Sequence, residues 1–243
     1  MEIDILAIGA HPDDIELCCG GTLAKAVAQG SAVGILDLTE GELGTRGSRS
    51  IRRQEARRAA ECLGVHFREN LRLADGDIRV DRESKLKLIQ VLRRVRPKYL
   101  LIPYHRERHP DHVHAHHLCV EAWFYSGLTK LGTKLKGKAQ EPWRPHAYFQ
   151  FMQWHEFQPS FIVDISSVYN RRRDAILAFS SQFYNPKSKE PKTMLSEKSF
   201  LEFVEARARQ FGGRIGVQYG EPFFTSELVG IRNLFDLQIV RGA

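Results

Sequence analysis

Two clusters hold most of the residues in this sequence that could do chemistry. One is Ala10-His11-Pro12-Asp13-Asp14. The other is His105-Arg106-Glu107-Arg108-His109-Pro110-Asp111-His112-Val113-His114-Ala115-His116-His117, which contains six of the chain's ten histidines. An imidazole beside two carboxylates is a donor mixture that suits zinc or another first-row divalent ion, with one acid left over as a base. A polar turn in which Asp13 or Asp14 caps the next helix would use the same residues. His112 and His116 lie four apart, as in the two-histidine zinc proteases. That motif needs Glu directly after the first histidine, however, and Val113 stands there. The better triad is His11, Asp14 and His112, three protein ligands that leave a coordination position open, as hydrolytic sites do. Asp13 can then take a proton from water, and His109 can stabilise an oxyanion or protonate a leaving group. Asp111 is expected to orient His109 and raise its pKa. His105, His114, His116 and His117 read as surface or packed helix histidines.

Such residues must be delivered by rigid elements. Ile3 to Ile8 is a short apolar run rich in β-branched residues, which reads as a strand buried on both faces and stopped by Gly9 and Pro12. Thr22 to Gln29 has a helical apolar face with Gly30 after its end, and Ala32 to Leu38 reads as a second strand, completing a βαβ unit. The glycine-rich Thr39–Gly47 loop follows. Next come a basic helix from Ile51 to Leu63, strand material at Val65–Phe67 and Asn70–Leu73, a turn at Ala74–Asp77 and an amphipathic helix from Arg82 to Arg94. Tyr99 to Ile102 is another buried strand, ending at the histidine cluster. In a parallel sheet both clusters emerge at one edge and can meet over a single ion. Pro110 is expected to keep its segment out of regular helix, with helix over Leu118–Tyr125 and a surface loop over Gly127–Pro145. Tyr148–Trp154 and Phe161–Asp164 read as strands, Val168–Phe179 and Glu197–Phe211 as helices, the second stopped by Gly212-Gly213, and Tyr219–Phe223 as a turn-rich tail segment. The fold class is therefore α/β: a single-domain, Rossmann-like three-layer sandwich with a mostly parallel central sheet.

Composition bounds the function classes. The 243 residues are 42% hydrophobic and 27% charged, as in a globular domain with a sizeable core. Glu2 and Asp4 stand where a signal peptide would be basic, and the first apolar run is too short to span a bilayer, so a cytoplasmic protein is expected. Cys18, Cys19, Cys62 and Cys119 form no C-x-x-C pair and are expected to be reduced and buried. The net charge of +7 permits an anionic small molecule, an acidic membrane surface or nucleic acid. No nucleic-acid module accompanies the charge.

At Gly9-Ala10-His11-Pro12-Asp13-Asp14 and His109-Pro110-Asp111-His112 the sequence resembles the PIG-L/LmbE-like family of metal-dependent N-acetylglucosamine deacetylases, with similarity from Ile3 to about Phe223. The resemblance implies a single deacetylase domain over 1–243, zinc held by His11, Asp14 and His112, Asp13 as general base and His109 assisting the oxyanion. His/Asp ligation also suits Fe2+. Thr39–Gly47, the Arg52–Ala56 segment and Leu73-Ala74-Asp75-Gly76 look most like the bacillithiol-pathway enzymes that deacetylate N-acetylglucosaminyl-malate, with Ala74 in place of the usual proline. Arg52 would then face the malate carboxylates and Asp75 would accept sugar hydroxyls, with Arg108 a further substrate contact. Relatives often assemble as homo-oligomers, trimers or hexamers. The competing readings are a deacetylase of a chitooligosaccharide or mycothiol-type conjugate, and a sugar- or nucleic-acid-binding protein on the same fold.

Overall fold

The computed structural model describes residues 2–231 and 233–237. Strands β1 (Ile5–Gly9), β2 (Val33–Thr39), β3 (Phe67–Leu73) and β4 (Tyr99–Pro103) alternate with helices α1 (Asp14–Cys18), α2 (Gly20–Ala28), α3 (Arg49–Leu63) and α4 (Arg82–Val95). Then come α5 (Pro110–Ser126), a small hairpin of β5 (Lys134–Leu135) and β6 (Lys138–Ala139), β7 (Ala147–Phe151), β8 (Phe161–Asp164), α6 (Tyr169–Leu177), α7 (Lys198–Arg214) and β9 (Gly220–Phe224). The seven-stranded sheet has the order β3-β2-β1-β4-β7-β9-β8, with β9 alone antiparallel to its neighbours. The order reverses between β1 and β4, which opens a crevice beyond their C-terminal ends.

Alternation along the strands builds two cores and hence three layers. Ala7, Ile35 and Leu101 face a cluster formed with α2, α3, α6 and α7, while Leu6, Leu36 and Leu100 face the cluster formed with α4 and α5. Caps set the helix ends. Ser48 Oγ accepts the Ile51 N–H at 3.3 Å to start α3, and Gly64, at φ 75°, ends it in the left-handed conformation that glycine adopts freely. Asp81 accepts the Ser84 N–H at 2.8 Å to start α4.

The α/β sandwich with a mostly parallel sheet is as expected, and four local expectations are corrected. Pro110 is the first residue of α5 instead of a break before it, because a first-turn N–H has no intrahelical partner and its absence costs nothing there. Gly212 and Gly213 lie inside α7. A side chain at Gly212 would come within 2.7 Å of the Tyr219 backbone, so this glycine serves close helix–strand approach. Tyr219–Phe223 leads into β9, a sheet strand, and its Glu221 carboxylate accepts the Gly21 N–H (2.9 Å) and the Thr22 N–H (2.6 Å), capping α2. The 127–145 connection carries the hairpin and is tied to α4 by Arg93, which donates to the Ser126, Leu128 and Leu131 carbonyls. Among the described residues, no helix is long and apolar enough to cross a membrane. All four cysteines are free, three of them buried and Cys62 partly so.

Candidate metal centre

His11 leaves β1 and Asp14 opens α1 one turn later, so the His11 N–H can donate to Asp14 Oδ2 at 2.9 Å. His112, in the first turn of α5, places Nε2 3.3 Å from Asp14 Oδ1. The ligand atoms of His11, Asp14 and His112 all lie within 4.8 Å of one another, which brings the expected triad together. Two imidazoles and a carboxylate are a fitting donor set for zinc or ferrous iron. His112 Nδ1 is buried without a hydrogen-bond partner among the described residues. Burial works against charge on Asp14, but His112 and His11 outweigh it and hold the carboxyl well below its usual range.

Asp13 is buried beside the triad at φ 109°, a conformation rare outside glycine and typical of strained functional positions. Arg52 holds it there. Its guanidinium donates to Asp13 Oδ2 at 3.0 Å, to the Pro12 carbonyl, and to the Gly41 carbonyl at 3.2 Å. Gly41 is needed for this: a Cβ at that position would fall 2.0 Å from Arg52 Nη1. Burial raises the Asp13 pKa to about 7, against the lowering effect of Arg52 and with the help of Asp14. Arg52 lines the cleft, but its two terminal nitrogens serve Asp13 and the backbone, so it does not present a free fork to an anion. A buried guanidinium needs partners, and these were nearer.

His109 caps α5. Its Nδ1 accepts the Asp111 N–H at 3.2 Å, which leaves the ring proton on Nε2. Burial together with His11 and His112 lowers the His109 pKa, so the expected raised value is corrected. Asp111 does act to raise it, but its carboxylate reaches His11 Nε2 (3.3 Å) and the Gly76 N–H (2.8 Å) instead of the His109 ring and is outweighed. Asp75, expected at sugar hydroxyls, likewise reaches His11 Nε2 (3.0 Å) and the Leu43 N–H (2.8 Å). Burial opposes charge on His11, yet the hydrogen bonds it donates to the Asp111 and Asp75 carboxylates outweigh this and raise its pKa to about 10. Exposed His105 bonds Gln150 Oε1 at 2.9 Å, and buried His116 bonds the Pro103 carbonyl at 3.0 Å, a surface and a packed histidine as expected.

These groups open into a cleft of about 350 Å³. Arg108 is exposed at its edge, stacked 4.6 Å over Trp154, and has no carboxylate partner among the described residues. Three contributors escaped sequence reasoning. Gln153 donates to Asp14 Oδ1 at 3.1 Å, Glu107 holds the Gln153 loop through the Trp154 and His155 N–H groups, and Arg207 on α7 donates to the Gln153 carbonyl. Only Glu107, inside the histidine cluster, carried any local signal. The opposite wall is apolar, with Leu17, Phe200, Phe203 and Val204.

An open, mostly parallel sheet whose switch crevice gathers two imidazoles and a carboxylate defines an α/β protein with a candidate divalent-metal centre. A family model described as PIG-L, GlcNAc-PI de-N-acetylase, matches residues 6–123. The diacetylchitobiose deacetylase of Thermococcus kodakarensis is 32% identical over 189 residues, covering 74% of this chain and 70% of that protein. The 4-oxalmesaconate hydratase of Pseudomonas putida is 30% identical over 198 residues, covering 73% of each. Among solved structures, the conserved protein TT1542 from Thermus thermophilus matches with a TM-score of 0.84 at 40% identity, over 94% of this chain and 97% of that one. The chain belongs to the PIG-L family of deacetylases.

Proposed function

We propose that this protein is a zinc-dependent N-deacetylase that releases acetate from an N-acetylglucosamine conjugate, with N-acetylglucosaminyl-malate of bacillithiol biosynthesis as the substrate. The observation that carries the reading is the convergence of His11, Asp14 and His112 within 4.8 Å, with Asp13 held beside them. These three would hold Zn2+, with Fe2+ the other ion the donor set accepts. A divalent ion there supplies Lewis-acid polarisation of the amide carbonyl and activation of water. Asp13, buried beside the three ligands and held by Arg52, takes the proton of the attacking water. His109 presents Nε2–H to the acetamide oxygen as it gains charge, and Arg52 keeps Asp13 in place. The acetamide C–N bond then breaks as its nitrogen takes the proton held by Asp13, releasing acetate and the free amine of glucosamine.

An anionic aglycone is supported by the net charge of +7 and by Arg108, whose guanidinium stands at the cleft edge with no carboxylate partner among the described residues. Asp75 would meet sugar hydroxyls with the lone pairs that His11 and Leu43 leave. The free cysteines suit a cytoplasmic location. The apolar side chains of Leu228, Leu234 and Phe235, at least three-quarters exposed, suit a homo-oligomeric contact in a trimer or hexamer.

Acetate release from a panel of conjugates, with metal analysis of the same sample, tests the reading. The panel comprises the malate conjugate, a chitooligosaccharide and an inositol conjugate; in view of the hydratase relative, water addition to an unsaturated dicarboxylate is followed separately by loss of its ultraviolet absorbance. Arg108→Ala should raise KM for the malate conjugate roughly 10-fold, the loss of one exposed charge-assisted contact, while leaving the neutral chitooligosaccharide unchanged. No acetate from any conjugate and no hydration of the dicarboxylate would leave only the fold and a binding role.

A further inference from the structure

His11 has two ring nitrogens in different surroundings. Nδ1 faces Asp14, 3.8 Å from Oδ2, on the side of the ligand triad. Nε2 lies 3.0 Å from Asp75 Oδ1 and 3.3 Å from Asp111 Oδ2, and so sits between two carboxylates contributed by two other loops. Both acids are themselves fixed. Asp75 accepts the Leu43 N–H and its own N–H donates to Glu42 Oε1 at 3.2 Å. Asp111, 1% exposed in the first turn of α5, accepts the Gly76 N–H, and Gly76 sits at φ 74° in the turn after β3. Loops after β1, β3 and β4 are thereby joined through one imidazole.

We infer that Asp75 and Asp111 are positioning residues for the metal centre: they take the Nε2–H of His11 in a forked hydrogen bond, fix its tautomer and ring plane, and leave Nδ1 as the atom that binds the ion. The inference rests on the metal-centre reading proposed above. A ligand histidine that donates its second ring N–H to a carboxylate is held in orientation and becomes a more basic ligand, and losing such a partner typically weakens metal binding 10–100-fold. The same arrangement explains why Asp111 cannot serve the His109 ring, which is oriented by the Asp111 backbone N–H instead.

Zinc dissociation constants, measured by competition with a chromophoric chelator, test this on the purified full chain. The comparison includes Asp75→Asn, Asp111→Asn and a control, Asp77→Asn, whose side chain is half exposed on the same turn and pairs with Arg79. Each of the first two should weaken zinc binding roughly 10–100-fold, less than His11→Ala does, with the control unchanged. Nitrogen-15 NMR of the zinc-loaded wild type, which needs no variant to fold, should show His11 protonated at Nε2 and metal-shifted at Nδ1. Unchanged zinc affinity in folded Asp75→Asn and Asp111→Asn, or a His11 ring protonated at Nδ1, overturns the inference. A wild type that binds no divalent ion instead overturns the metal-centre reading itself.

Discussion

Replacing Arg52 by Met separates two roles for this arginine, holding the base and holding the substrate. The pair it forms with Asp13 is buried, with side chains 6% and 8% exposed and the charged atoms 3.0 Å apart. Removing one partner of such a pair leaves an uncompensated charge worth about 3–5 kcal/mol, which at about 1.4 kcal/mol per pK unit moves the remaining acid up by roughly 2–3.5 units. Burial already raises the Asp13 pKa, and without Arg52 the acid keeps its proton to a still higher pH. Where both enzymes lie on the acid limb, a displacement of about 2 units or more lowers kcat/KM roughly 100-fold or more. An ion at the neighbouring ligands pulls both values down together, so the displacement between wild type and variant is the quantity to read. The assay is amine release from pH 5 to 10 on both a neutral and an anionic conjugate. The acid limb of the profile should move up by about 2 units or more on both substrates, and Arg52→Lys should recover part of the shift. A loss confined to the anionic substrate, with the acid limb in place, would show that Arg52 grips the aglycone and that its contact with Asp13 is incidental.

Asp13→Asn keeps the side-chain shape and a residue type that tolerates positive φ, but removes the base. Turnover should fall at least ~100-fold with zinc content intact by elemental analysis; loss of the metal would reassign Asp13 as a ligand. A third expectation concerns acid stability. Burial lowers the His116 pKa to about 4, so the native state stays neutral where the unfolded chain, titrating near 6.5, has taken a proton. The stability from this residue is therefore present above pH 6.5 and is lost as pH falls toward 4, by about 3 kcal/mol in all. Urea midpoints at pH 7 and 4.5 should show His116→Gln losing about 2–3 kcal/mol less than wild type over that interval, and parallel losses would remove His116 as the cause.

The residues of the centre were legible because each follows a buried strand that ends abruptly in polar chemistry. His11, Asp13 and Asp14 succeed β1, and His109 and His112 succeed β4, so strand order alone carries them to one crevice. The strands on that side were legible for the same reason: a doubly buried strand is a continuous apolar run. β9 was not, because Gly-Glu-Pro-Phe-Phe has the composition of a turn. What makes it a strand is non-local: a slot between β7 and β8, and a Glu221 carboxylate that meets the first N–H groups of α2 and the Arg172 side chain.

Partner choice at the site was hidden for a related reason. Spacing places Asp111 two residues from His109 and invites a carboxylate–imidazole pair. Yet Pro110 and Asp111 open a helix, and in a helix neighbours one or two apart do not share a face. The Asp111 carboxylate therefore leaves His109 and takes His11 and Gly76, while His109 turns back to accept the helix's own free N–H. The role of Arg52 is obscured in the same way. As an arginine in the first turn of a basic helix it invites pairing with an anionic substrate, and only the strained loop at Asp13 and the missing side chain of Gly41 make room for its guanidinium against Asp13. Residue types can thus reveal where a centre lies, while helix phase and backbone conformation decide which acid supports which base.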